Sequence, residues 1–386
     1  MTQFLPPIRL VGAEVLRDGD MQARSVAIED GVISKGPLPE VDLRGYLVLP
    51  GIIDLAAGPL GPGVSGPVDS LRGLDRAAAR CGVTTLWSAR DWSWAAGCAA
   101  PRLAQDVAKT VAVRRGQTGT DLRSRVICEV HMMDTRDHLI ETLRAADVDQ
   151  VIFTDRLTPL LSQAELYRAE ICRQAALAGV TPDQHLQDLR MLAKRAREVP
   201  RFLCQLAEAF DRRGVIYGSV GDPDGETREM YSMIGAKLCL KPRVRAAAAL
   251  ARAVGDPVVL AARDVTAKPA GASGLCAMTA IRDGHCTALA SDGAFDALAQ
   301  AAFHLAERGG LGLPEAWNLV SRNPAEIMRL PDRGVIDYGR RADLVVVDAA
   351  TRRVEATIAA GRLIHLTGEA ANRFHGAPAA LDHAAE

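Results

Sequence analysis

Eight apolar runs, most of them followed by a helical repeat, constrain this chain more than any other feature. They are Ile52–Leu55, Val83–Trp87, Val126–Val130, Gln150–Thr154, Val215–Ser219, Ala236–Leu240, Pro257–Ala261 and Thr287–Ala290. Most are near-continuous rather than alternating, the pattern of parallel strands covered on both faces. Helix stops precede several of them: Cys81-Gly82, Arg213-Gly214 and Ile234-Gly235. Helical stripes lie between, such as Leu71, Leu74, Ala78 and Cys81, or Phe295, Leu298, Ala302 and Leu305. Eight strands alternating with helices predict an α/β fold, a (β/α)8 TIM-like barrel over residues 51–331, in preference to an open doubly wound sheet. The stretch Leu157–Arg201 is longer than one crossover and predicts extra helices over the barrel mouth.

The flanks read as β structure. Ile8–Val11, Ser25–Ile28 and Tyr46–Leu49 are short strand candidates, with turns at Asp18-Gly19 and Asp30-Gly31. They are too few and too short to form a stable sheet unaided. Partners stand near the other end of the chain, at Leu344–Asp348, Val354–Ile358 and Gly361–Ile364. A small β-sandwich domain built from both termini, residues 1–50 and 332–370, is the simplest assembly. Residues 371–386, rich in Ala, His and Gly, read as a loose tail.

Composition narrows the function. The 386 residues carry a formal net charge of −1, so no long-range field favours nucleic acid or an anionic membrane. No apolar run is long enough to span a bilayer, and the first residues lack the basic start and apolar core of a signal peptide. Eight cysteines without a Cys-x-x-Cys pair read as free thiols in a reducing, cytoplasmic setting. Gly61-Pro62-Gly63-Val64-Ser65-Gly66 fits a dinucleotide pattern by letter, but Pro59, Pro62 and Pro67 break it up, and it reads as a loop. There is no Walker pattern and no Gly-x-Ser-x-Gly elbow.

Two stretches carry a family resemblance. Leu47-Val48-Leu49-Pro50-Gly51-Ile52-Ile53-Asp54-Leu55 is a strand broken at Pro-Gly and restarted. Ser321-Arg322-Asn323-Pro324-Ala325-Glu326 leads to Gly339-Arg340-Arg341-Ala342-Asp343-Leu344. Together they resemble the amidohydrolase superfamily, at the passage from a terminal β domain into a catalytic barrel and back. Within it, the chain is most similar to the diphosphatases of phosphonate metabolism that act on a phosphorylated ribosyl phosphonate. Cys128-Glu129-Val130, Ala290-Ser291-Asp292 and the insertion after Asp155 support that likeness.

The resemblance implies a divalent metal held at the C-terminal ends of the strands, and here the chain departs from the pattern. The usual His-x-His after the first strand is Ala56 and Gly58, and the histidine after the fifth is Val220. None of the three can donate an electron pair to a metal. Asp292 keeps the family's acid, which by resemblance would bind metal and take a proton from water. It could instead cap the following helix. Glu129, His131, Asp155 and Asp222 stand at neighbouring strand ends and could hold a weak or relocated divalent ion; no cofactor is otherwise implied. His131 could equally be a hydrogen-bonded interior residue. Lys241, Arg243, Arg263 and Lys268 could form an anion pocket for a small sugar-phosphate or phosphonate ligand, or be solvated loop charges. Two functions therefore stand open: a divergent hydrolase with Asp292 as general base, and a non-catalytic relative that binds a ligand or partner through the former active-site mouth. A homo-oligomer is compatible with either.

Overall fold

A computed structural model describes residues 3–59, 67–95, 100–266 and 275–376. The Gly61–Gly66 loop, Lys268 and residues 377–386 lie outside the described residues. All eight apolar runs form strands, Ile52–Pro59, Val83–Trp92, Asp121–Glu129, Gln150–Thr154, Ile216–Val220, Leu238–Leu240, Val258–Ala261 and Ala288–Ala290, here numbered one to eight. They make one parallel sheet in which every strand pairs with its neighbours in sequence. Helices between them pack on the outer face, which gives a (β/α)8 barrel.

Strand three starts five residues before its apolar run. Arg123 and Arg125 alternate with Leu122, Ser124 and Val126, so the two faces of this strand differ. Leu122, Val126 and Cys128 sit in the apolar layer under the helices, whereas Arg125 and Ile127 line the barrel interior. A polar interior face removes the continuous hydrophobic signature on which the sequence reading relied.

Strand eight meets strand one through a buried carboxylate. Asp54 Oδ1 accepts the Ser291 N–H at 3.0 Å and the Ala56 N–H at 3.1 Å, and Oδ2 accepts the Ser291 hydroxyl at 2.5 Å. The Asp292 N–H donates to the Ala56 carbonyl at 3.1 Å. Burial pushes the Asp54 carboxyl up, against the pull of its hydrogen bonds. At the opposite end of strand three, Asp121 accepts from Arg123 and Arg333 at 2.9 Å each and from Arg115 at 3.1 Å. Arg333 follows the last barrel helix, so this cluster ties the base of the barrel to the returning chain.

Both chain ends contribute to a seven-stranded sheet, in the order Gln3–Phe4, Arg362–Leu366, Val354–Ala359, Leu344–Asp348, Tyr46–Pro50, Glu14–Arg17, Asp20–Ala23. A four-stranded sheet of Val32–Ser34, Val26–Glu29, Ile8–Val11 and Glu40–Asp42 shares a core with it, built on Leu10, Ile28, Val48, Leu344 and Ile358. The expected loose tail from residue 371 needs correction. Residues Gly368–Gly376 form a helix, because Ala370 is fully buried against this core and its N–H donates to Glu355. The seven described cysteines are free, with Cys128 and Cys239 buried. Among the described residues no helix is long and apolar enough to cross a membrane.

Candidate functional site

The C-terminal strand ends open into a cavity of about 1280 Å³. The helices Leu157–Ser162 and Arg168–Ala178 of the long insertion supply part of its wall through Leu160, Arg173 and Gln174. Trp94 lines it too, while Trp87 and Trp92 are fully buried.

The end of strand one is closed to a metal. Ala56 is buried in an apolar cluster with Ile53, Leu55, Trp87 and Ala290. A Cβ on Gly58 would stand 3.2 Å from the Gly293 Cα, a tight approach of strand eight's loop to this position. Val220 packs at the edge of the same apolar cluster. The family's acid, Asp292, does not cap a helix. Its Oδ1 accepts from Lys241 Nζ and its Oδ2 from Arg263 Nη2, both at 2.6 Å. Each carboxylate oxygen thus sits in a charge-assisted hydrogen bond to a cation. Lys241 and Arg263, expected as an open anion pocket, are therefore committed to Asp292. Both Lys241 and Asp292 hold positive φ, 44° and 50°, which shows how firmly the surrounding strand ends position this pair.

Asp222 lines the cavity but is nearly fully buried and engaged in an internal network. It accepts from Ser219 Oγ at 2.8 Å and pairs with the fully buried Arg228 at 3.3 Å. Arg228 in turn reaches Asp256 at 3.3 Å and the Ala236 carbonyl. Burial raises the Asp222 carboxyl while Arg228 and Ser219 draw it down. The group is a structural tie behind strands five and six. The following Asp224 caps the helix Gly225–Met233 by accepting the Thr227 N–H.

Glu129, His131 and Asp155 do converge. One ligand atom from each lies within 4.8 Å of the others. His131 Nδ1 is 3.2 Å from Glu129 Oε1 and 3.9 Å from Asp155 Oδ1. The Arg156 N–H donates to Glu129 Oε2 at 2.9 Å, and the Thr158 N–H to Asp155 Oδ1 at 2.9 Å. These backbone donors orient the two carboxylates as second-layer contacts do around metal ligands. Burial raises the Glu129 carboxyl, opposed by the hydrogen bond to His131. One nitrogen and two carboxylate donors, of which His131 and Asp155 line the cavity and Glu129 is buried behind them, suit zinc or manganese. So the family's usual metal position does not fit a metal, whereas this displaced set could hold one.

Two interior residues escaped the sequence reading. Asp54 stands alone as a charge inside an apolar strand, which was a visible signal for a buried, paired carboxylate. Arg125 lies on strand three before the apolar run begins and gave no such signal.

With barrel, terminal sheets and strand-end carboxylates in this arrangement, the chain belongs to the amidohydrolase family, whose pattern matches residues 129–364. It is 25% identical over 358 residues to the alpha-D-ribose 1-methylphosphonate 5-triphosphate diphosphatase of Escherichia coli strain K12, covering 88% of this chain and 93% of that protein. Solved structures with a similar fold include the N-acetyl-D-glucosamine-6-phosphate deacetylase of Mycobacterium smegmatis, with a TM-score of 0.62 and 17% identity over 92% of this chain and 99% of that one. Dihydropyrimidinase from Brevibacillus agri NCHU1002 has a TM-score of 0.61 and 14% identity over 93% and 95%.

Proposed function

We propose that this protein binds a small anionic compound, a phosphorylated or phosphonylated sugar, in the barrel mouth, and does not hydrolyse it at the family's usual metal position. The observation that carries this reading is the double clamp on Asp292 by Lys241 and Arg263, facing strand-one positions that offer no ligand. A general base must be free to accept a proton from water. Both Asp292 oxygens already accept from cations. The ligand class rests on the Escherichia coli relative, whose name describes a triphosphorylated ribosyl phosphonate, and on Arg125 and Arg243, two cavity-lining cations without an ion pair among the described residues.

Calorimetric titration with ribose 5-phosphate tests this, with and without a chelator, alongside an assay for released phosphate. Binding that survives the chelator, without turnover, is the expected result. Metal-dependent turnover lost in Asp292→Asn would overturn it.

One observation favours a second reading. The convergence of Glu129, His131 and Asp155 supplies three donors, the ligand number of a catalytic metal site. On this reading the protein is a divergent hydrolase with its metal displaced to strands three and four. Turnover that requires added zinc or manganese and disappears in Glu129→Gln, yet persists in Asp292→Asn, would establish it.

A further inference from the structure

Strand three carries a column of polar residues up the barrel interior, and all but one are satisfied. At the base, Arg123 bonds Asp121 at 2.9 Å and Asp149 at 2.7 Å and lies over the Trp87 ring at 5.2 Å. At the top, Glu129 has His131 and the Arg156 N–H. Arg125 stands between them. It is 5% exposed and lines the cavity. Among the described residues its side chain makes one hydrogen bond, Nη1 to the Leu55 carbonyl at a long 3.4 Å, and its buried Nε has no partner.

The carboxylates nearest in charge do not reach it. Asp54, Asp292 and Asp91 all act on Arg125 through space, but each is engaged elsewhere: Asp54 with Ser291, Asp292 with Lys241 and Arg263, Asp91 with Arg156 at 2.6 Å. Burial pushes the Arg125 guanidinium down to about 10, which leaves it charged at neutral pH. A buried cation without a hydrogen-bonded counter-ion is costly, so pairing with an anion that enters the cavity is favoured. Gly58 and Ala89, which line the same cavity, have little or no side chain to crowd an incoming group.

We propose that Arg125 forms the floor of an oxyanion subsite and grips the phosphate or phosphonate group of the ligand. The inference rests on the anion-binding reading above and names the group that executes it. A planar guanidinium presents paired N–H donors that match two oxygens of such a group. Arg243 offers a second cation at the rim. It lines the same cavity, is exposed, lies with Nε 3.6 Å from where a Gly221 Cβ would stand, and has no ion pair among the described residues.

The test is titration of the full chain with ribose 5-phosphate and with inorganic phosphate, uncharged ribose as control, for wild type, Arg125→Met and Arg125→Lys. Thermal midpoints without ligand are recorded in parallel. Wild type should bind both anions and not ribose. Arg125→Met should bind about 10–100-fold more weakly, the range for a lost hydrogen bond to a charged group, with a ligand-free midpoint equal to or above wild type. Arg125→Lys keeps the charge without the fork and should lose about 10-fold; it decides the matter if the methionine variant does not fold. Wild-type affinity in either variant overturns the inference while the anion-binding reading stands. A wild-type protein that binds neither anion overturns the reading itself. An Arg125→Met protein that is less stable yet binds normally assigns Arg125 a structural role and also overturns the inference.

Discussion

Lys241 Nζ lies 2.6 Å from Asp292 Oδ1, and this contact occupies the carboxylate that the amidohydrolase pattern reserves for metal and proton. With Arg263 on the second oxygen, both carboxylate oxygens sit in ion pairs. Asp292→Asn should lower stability by about 1–2 kcal/mol, since the pair is partly exposed and screened. Denaturant titration checks this. A loss above about 4 kcal/mol would point to a deeper structural role.

Gly58 answers to geometry rather than chemistry. Restoring the family's ligand pair with Ala56→His and Gly58→His should not restore metal binding. Asp292, held by Lys241 and Arg263, is not free to complete the site, and the Gly58 change puts a Cβ 3.2 Å from the Gly293 Cα, so the backbone there must give slightly. Overpacking of this kind costs about 1–3 kcal/mol. Metal content of the double variant, with its thermal midpoint, reports both effects.

Asp54 should be as important to the barrel as any apolar core residue. Asp54→Ala leaves the buried Ser291 N–H and hydroxyl and the Ala56 N–H without their acceptor. Unsatisfied buried groups cost about 1–3 kcal/mol each, not fully additive, so a loss of about 3 kcal/mol is expected. Hydrogen exchange should place the faster-exchanging amides at strands one and eight.

Asp121 predicts a pH dependence. Burial works to raise its carboxyl, but Arg123, Arg115 and Arg333 overcome it and hold it well below the usual range. A depressed folded value means that the stabilisation is complete above the unfolded value, about 3.9, and is lost as pH falls towards the folded one. Asp121→Asn should therefore cost about 3 kcal/mol at pH 7, and the difference from wild type should shrink below pH 4. Urea midpoints across pH 3–7 measure it.

The barrel was legible because its strands are apolar runs and its helices repeat at a fixed period; both are local patterns. The terminal domain was legible because its strands were too few on one side and had partners on the other. The start of strand three was not, because Arg123 and Arg125 face inward and imitate a polar loop. The absence of ligands at Ala56, Gly58 and Val220 could be read directly. The fate of Asp292 could not: Lys241 and Arg263 are 51 and 29 residues away in sequence, and only the closing of strands six to eight brings them together. The helix Gly368–Gly376 was missed because its alanines gave composition without a visible packing partner; Glu355 and the shared β core provide one.

The central proposal is that no metal is held at the seam between strands one and eight. The most direct measurement is metal content by plasma mass spectrometry after incubation with zinc or manganese, for wild type, Asp292→Asn and Glu129→Gln. The account predicts that Asp292→Asn leaves the metal content of wild type unchanged, and that any metal present is lost in Glu129→Gln, because its donors are Glu129, His131 and Asp155. Near-stoichiometric metal in wild type that vanishes in Asp292→Asn would contradict it.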